Sequence, residues 1–166
     1  MYTIISATNR IGSHTEKVSK QYQDILKQKG VDAKIFSLKN LNVLERNPDF
    51  LKAENDFLFP AEKIIFIIPE YNGTFPGVLK AMIDISDVKK AWWYKKALLV
   101  GISTGRAGNL RGMDQITASL NHMKMTVHYN KLPVSVIDKI MNEGGTITNK
   151  STLQAIEQQL DEFIIF

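Results

Sequence analysis

The chain has 166 residues, enough for one domain with a full-sized core and short for two. It contains no cysteine, which excludes disulfides, thiolate metal ligands and a cysteine nucleophile, and its 44% hydrophobic and 23% charged residues suit a globular protein. No apolar run approaches the roughly 20 residues of a membrane span and the N-terminus lacks a signal-peptide pattern, so a cytoplasmic protein is expected; the net charge of +4 suits anionic small ligands and nucleic acid alike.

The first predicted element is a strand over "MYTIIS", β-branched and aromatic, ending in small polar residues. A helix follows from Ser13 to Lys29. Val18, Tyr22, Ile25 and Leu26 form its apolar stripe, Ser13 and Glu16 form a capping box, and Gly30 stops it. "DAKIFSL" reads as an edge strand. Residues 40–60 are the least readable stretch, with a helical turn or two expected from Pro48. "KIIFIIP" has the unbroken apolar character of a central parallel strand covered on both faces. "FPGVLKAMIDIS" reads as a helix with Pro76 near its first turn and Val78, Leu79, Met82 and Ile83 buried.

"KKALLVGIS" is a fourth strand, followed by the glycine-rich "TGRAGNLRG". A helix over "NLRGMDQITASLNHM", a fifth strand over "KMTVHYN", a turn at "GGTITN" and a closing helix over "STLQAIEQQLDEFIIF" complete the pattern. The stripe Leu153, Ile156, Leu160, Phe163 and Ile164 assigns the terminal "FIIF" to core packing. Alternating strands and helices imply right-handed crossovers and a parallel sheet. The expectation is an α/β, flavodoxin-like three-layer sandwich with a five-stranded sheet of order 2-1-3-4-5, one domain over residues 1–166. Ligands of such sheets bind at the carboxyl ends of the strands where the order reverses, between strands one and three.

That rule marks the loops after strands one, three and four. In the first, Thr8, Asn9, Arg10, Gly12, Ser13 and Thr15 lead into a helix N-terminus, whose unpaired amides and partial positive charge suit a phosphate. In the second, Pro69, Glu70, Tyr71, Asn72 and Gly73 form a restrained backbone edge suited to a flat heterocycle, with Tyr71 able to flank the ring. In the third, Ser103, Thr104, Gly105, Arg106 and Gly108 allow close approach of the backbone to a flat ligand. Each loop also has a plainer reading as a cap or turn, and it is their shared position that favours a site.

Three stretches resemble one family. "ATNRIGSHT" resembles the Gly-Ser-x-Arg-x-x-Ser-x-Asn phosphate loop of the NAD(P)H-dependent FMN reductases, which include chromate, quinone and azo reductases. "PEYNGTFPGVLKAMID" resembles their Pro-Glu-Tyr-Asn-x-Ser-x-Pro-Gly-x-Leu-Lys-Asn-Ala-Ile-Asp signature, and "GRAGNLRGMDQI" their third segment. Ala7-Thr8 stands where Gly-Ser is usual, Thr15 where Asn is frequent and Thr74 where Ser is usual. The resemblance implies a flavodoxin-like enzyme with FMN as cofactor and NADPH or NADH as co-substrate. It also implies that hydride passes through the flavin in a ping-pong cycle to a quinone, azo dye, free flavin or metal oxyanion. Carried onto this chain, Thr8, Arg10, Ser13 and Thr15 hold the phosphate. Pro69 to Gly73 line the isoalloxazine, and Ser103, Thr104, Gly105, Arg106 and Gly108 line its other edge. No side-chain acid or base is demanded, because the cofactor carries the chemistry.

The alternative is a flavodoxin-type carrier that binds FMN without oxidising NAD(P)H, although such carriers are strongly acidic. His14, His122 and His128 have no metal-ligand spacing, and Asp84 and Asp87 read as a solvated face and a helix end. "KKAWWYKK", residues 89–96, has the basic and aromatic interleaving of a single-strand nucleic-acid platform, a remote reading. It fits a subunit interface better, with Trp92 or Trp93 buried between copies of a homodimer or homotetramer. Neither nucleic acid nor a membrane is expected as a partner.

Overall fold

The computed structural model describes residues 1–166 and contains six strands and seven helices. In chain order these are β1 (Tyr2–Ser6), α1 (His14–Gln28), β2 (Ala33–Ser37), α2 (Pro48–Ala53), a π-helical continuation (Glu54–Leu58) and β3 (Lys63–Pro69). Then come α3 (Gly77–Ile85), α4 (Val88–Ala91), β4 (Lys96–Ile102), α5 (Leu110–His122), β5 (Thr126–Val127), β6 (Leu132–Val134), α6 (Ile137–Ile140) and α7 (Lys150–Ile165). The sheet is parallel with order β2-β1-β3-β4-β5, the order expected.

β3 and β4 read as continuous apolar runs because both faces are covered. Ile64, Phe66 and Ile68 point to the side packed by α3 and α5, whereas Ile65 and Ile67 point to the side of α1 and α7. β4 alternates in step: Ala97 and Leu99 face α3 and α5, and Leu98, Val100 and Ile102 face α1 and α7. This two-fold side-chain period on a central strand fixes a helix layer on each face. On α1, Val18, Tyr22 and Leu26 are fully buried. Its N-cap Ser13 Oγ accepts from the Glu16 amide at 3.2 Å, a bond worth about 1 kcal/mol. The Glu16 carboxylate does not complete the capping box; it reaches Lys39 Nζ at 3.4 Å.

The fifth strand is split. The sequence pattern gives one run over "KMTVHYN", yet only Thr126–Val127 pairs with the start of β4 there, and Leu132–Val134 pairs with its end. The gap is patched from α7. Gln159, fully buried, donates through Nε2 to Leu99 O (3.1 Å) and Asn130 O (2.7 Å), and its Oε1 accepts from Tyr22 OH (3.0 Å). A buried carbonyl left without a donor would cost about 1–3 kcal/mol, so one polar side chain makes the interruption tolerable.

In the "KKAWWYKK" segment Trp92 departs from the expectation of an interface residue. Trp92 is fully buried in its own chain's core, tilted against Phe66, with Nε1 donating to Ser86 Oγ at 2.6 Å. It has no surface to offer a second subunit. Trp93 is half-buried, and Lys124 Nζ lies 3.8 Å from its ring centroid. Asp87, read as the end of the helix that holds Asp84, lies beyond α3 and is the N-cap of α4. No helix is long and apolar enough to cross a membrane.

Candidate functional site

β1, β3 and β4 lie side by side, with Ser6 opposite Ile67 and Pro69 opposite Ile102, so their following loops emerge at one edge. The β1–α1 loop (residues 7–13) ends at the α1 N-terminus. The amides of Ile11, Gly12, Ser13, His14 and Thr15 find no acceptor in the chain, as expected where a helix begins. The Ser13 hydroxyl caps the helix through a lone pair and keeps its own proton free.

The β3–α3 loop (residues 70–76) is held at both ends. The Glu70 amide donates to Ile102 O at 2.8 Å, and Tyr71 and Thr74 exchange backbone hydrogen bonds of 2.9 and 3.2 Å. Between them Asn72 and Gly73 have φ of 54° and 83°, the left-handed pair that the Asn-Gly dipeptide favours in a tight turn. This turn leaves the Asn72 and Gly73 amides unpaired. The β4–α5 loop (residues 103–109) turns around Ser103. Its Oγ donates to Gly105 O (2.8 Å) and accepts from the Gly108 amide (2.9 Å), leaving the amides of Thr104 to Ala107 unpaired.

Two clefts open along this edge. One, of about 260 Å³, is lined by Arg10, Ser13, Thr15, Pro69, Glu70, Tyr71, Ser103 and Thr104, with Ile11, His14, Ile102 and Ile137 added to the residues expected. The other, of about 300 Å³, is lined by Glu70, Asn72, Gly73, Ser103, Thr104, Gly105 and Arg106, with Ala107. Glu70, Ser103 and Thr104 belong to both, so the clefts are contiguous. Unpaired amides at one end suit an anion, and those along the other suit the edge of a flat polar ring.

Two expected residues line neither cleft. Thr8 is 2% exposed; its Oγ1 shares a 2.5 Å hydrogen bond with Tyr71 OH and accepts from the Arg10 amide at 3.1 Å. Gly108 is buried under Pro133, where a Cβ would come within 2.6 Å of the proline side chain. Its φ of 55° and this close approach explain the glycine without any ligand. Tyr71 itself is tied back toward the first loop, with the Arg10 guanidinium 4.0 Å from its ring centroid.

Asn109 holds the loops together. Buried and at φ 60°, it donates through Nδ2 to Ile68 O and Pro69 O, both at 3.1 Å, while its amide donates to Glu70 Oε2 at 3.2 Å. Sequence inspection passed over it because a loop asparagine signals a turn, not a staple. Ile137 was equally hidden. It reaches the cleft because the Val136 and Ile137 amides donate to Gly105 O (3.0 Å) and Ser103 O (3.1 Å), with Val136 held at φ 46°. A β-branched residue there carries strain of order 1–3 kcal/mol, borne by those bonds.

The sequence profile of the NADPH-dependent FMN reductases matches residues 2–136. The chain belongs to that family. As a family member it is an oxidoreductase that works with FMN and NAD(P)H. It is similar to the NADH:(hydroxy)cinnamate reductase subunit CrdA of Vibrio ruber, 22% identical over 174 residues that cover 99% of this chain and 86% of that protein. It is 26% identical to a quinone reductase of Pseudomonas putida over 130 residues, 74% of this chain and 70% of that one. Among solved structures, FerB, a flavoenzyme NAD(P)H:(acceptor) oxidoreductase of Paracoccus denitrificans, matches with a TM-score of 0.78 at 20% identity, covering 98% of this chain and 94% of that one. An archaeal flavodoxin matches with a TM-score of 0.62 at 16% identity, covering 99% and 97%. These likenesses establish the flavodoxin-like fold. The residues of the reductase fit FMN on their own chemistry as well, since the contiguous clefts pair an anion-accepting helix end with a rigid rim of unpaired amides.

Proposed function

We propose that this FMN reductase passes hydride equivalents from NAD(P)H to a small redox-active acceptor, a quinone or related compound, in a ping-pong cycle. The observation that carries this reading is the pair of contiguous clefts at the carboxyl ends of β1, β3 and β4, with amide donors free at both ends. In this reading residues 1–166 act as one FMN-binding domain. The phosphate lies at the α1 N-terminus among the amides of residues 11–15, Ser13, Thr15 and Arg10, and Thr8 supports that loop through Tyr71. The ring lies along Pro69 to Gly73 and the Ser103–Arg106 rim. When bound there, FMN supplies a two-electron acceptor and donor. Protein groups bind and orient it and carry no proton of their own in the reaction. NAD(P)H and the acceptor occupy the same open side in turn, so the electrons gained in one half-cycle leave in the other.

The quinone reductase of Pseudomonas putida supports the acceptor class by its name. Assembly as a homodimer or homotetramer accompanies this reading, with half-buried Trp93 and exposed Tyr94 as the remaining aromatic surface of the 89–96 segment. The test is anaerobic mixing of the FMN-loaded protein with NADPH and, separately, NADH. The flavin absorbance is expected to bleach, and a quinone added afterwards to restore it. A yellow protein that neither nicotinamide bleaches would be an electron carrier.

A further inference from the structure

We propose that His14 is a positioning residue for the anionic end of the flavin, donating a hydrogen bond from Nε2 to its phosphate; this rests on the FMN reading above. In the motif that "ATNRIGSHT" matches, His14 falls on the open position between the Ser and Asn places, here Ser13 and Thr15, so the motif gives it no task. It is the first residue of α1, and it lines the first cleft beside Ser13 and Thr15.

The two ring nitrogens are not equivalent. Nδ1 is buried and has no hydrogen-bond partner, whereas Nε2 makes no bond within the chain and is not closed off. A neutral imidazole carries one proton. An orphaned buried N–H is rarer and costlier than an unpaired lone pair, so the proton belongs on Nε2. Nε2 is then the donor that this cleft-lining residue has to offer beside the free amides of residues 11–15. One of the motif's side chains is meanwhile engaged elsewhere, since the Thr8 hydroxyl is taken by Tyr71. The Arg10 guanidinium lies over the Tyr71 ring, which leaves its in-plane N–H donors free. His14 thus joins Ser13, Thr15 and Arg10 around the phosphate.

Riboflavin, which lacks the phosphate, separates this contact from any role of His14 in shaping the ring site. Fluorescence titrations of the flavin-stripped full chain would compare FMN and riboflavin. His14→Phe, of similar shape without the donor, should weaken FMN about tenfold or more and leave riboflavin within about twofold. His14→Gln, which keeps an amide donor at the reach of Nε2, should hold FMN within about threefold of the unaltered protein. In the unaltered protein the His14 Nε2 resonance should move on adding FMN and not on adding riboflavin, a reading that depends on no variant folding. Equal losses for both flavins, no loss for FMN, or equal resonance movements would overturn the assignment. If the unaltered protein takes up neither flavin, the FMN reading itself fails and this inference falls with it.

Discussion

Tyr71 is the residue whose task the structure redefines. Its position after a central strand suggests a ring that flanks a heterocycle, and it does line the first cleft. Its hydroxyl, however, reaches across to Thr8, 63 positions away, and its face carries Arg10. Tyr71 therefore ties the loop after β3 to the loop after β1, and neither end of that tie is legible locally. Asn72-Gly73 was legible, because two adjacent positive φ angles demand those residue types. Tyr71→Phe removes the hydroxyl and keeps the ring for Arg10. Losing one hydrogen bond of about 1 kcal/mol should weaken FMN about fivefold, with the rate of flavin reduction at saturating FMN within about twofold. Flavin titration and anaerobic stopped-flow measure the two quantities. A collapse of the reduction rate with FMN fully bound would mean that the hydroxyl serves the reaction itself.

At the scale of elements, legibility follows how local the cause is. β1, β3, β4, α1, α5 and α7 declare themselves through period and capping, which depend on near neighbours in sequence. Residues 40–60 do not, because a distant partner organises them. Glu54, 0% exposed in the π-helical turn, accepts from Arg46 Nε (3.0 Å) and Nη2 (2.6 Å) and from the Asp87 amide (2.7 Å). Lys95 then closes that turn, donating through Nζ to Leu58 O (2.5 Å) and Phe59 O (3.2 Å). Burial disfavours its charged form and lowers the Lys95 ammonium from 10.5 to about 8. Between those values the unfolded chain holds a proton that the folded chain has released, so this group's contribution to stability rises with pH across the window and is lost as pH falls toward 8. Lys95→Met cannot titrate. The difference in urea midpoint between the unaltered protein and Lys95→Met should move in favour of the unaltered protein from pH 8 to 10.5. A difference that stays flat would mean that Lys95 keeps an ordinary proton affinity in the fold.

For the whole molecule, the site lies where the two helix layers part. α1, which opens the anion end, packs on one face of the sheet, while α3 and α5, which follow the other two loops, pack on the opposite face. Within the chain, few side chains bridge the loops at that edge. They include Tyr71 to Thr8, with Arg10 over the Tyr71 ring, Glu70 to the Asn109 amide, Asn109 to Ile68 and Pro69, and Thr74 to Gln115. A ligand spanning both clefts would add bonds between these loops, and it binds the folded chain only. Mass action then requires a stability gain of about 2.7 kcal/mol with free FMN at a hundred times its dissociation constant. For a chain of this size that gain raises the melting temperature by about 5–10 °C, and stripping the flavin should lower it by the same amount. Calorimetry of loaded and stripped protein checks this, with FMN restored to the stripped sample as the control. Recovery of the higher melting temperature is expected. Melting that ignores FMN, in a protein that spectroscopically holds it, would mean that the flavin is bound outside these clefts on surface that survives unfolding.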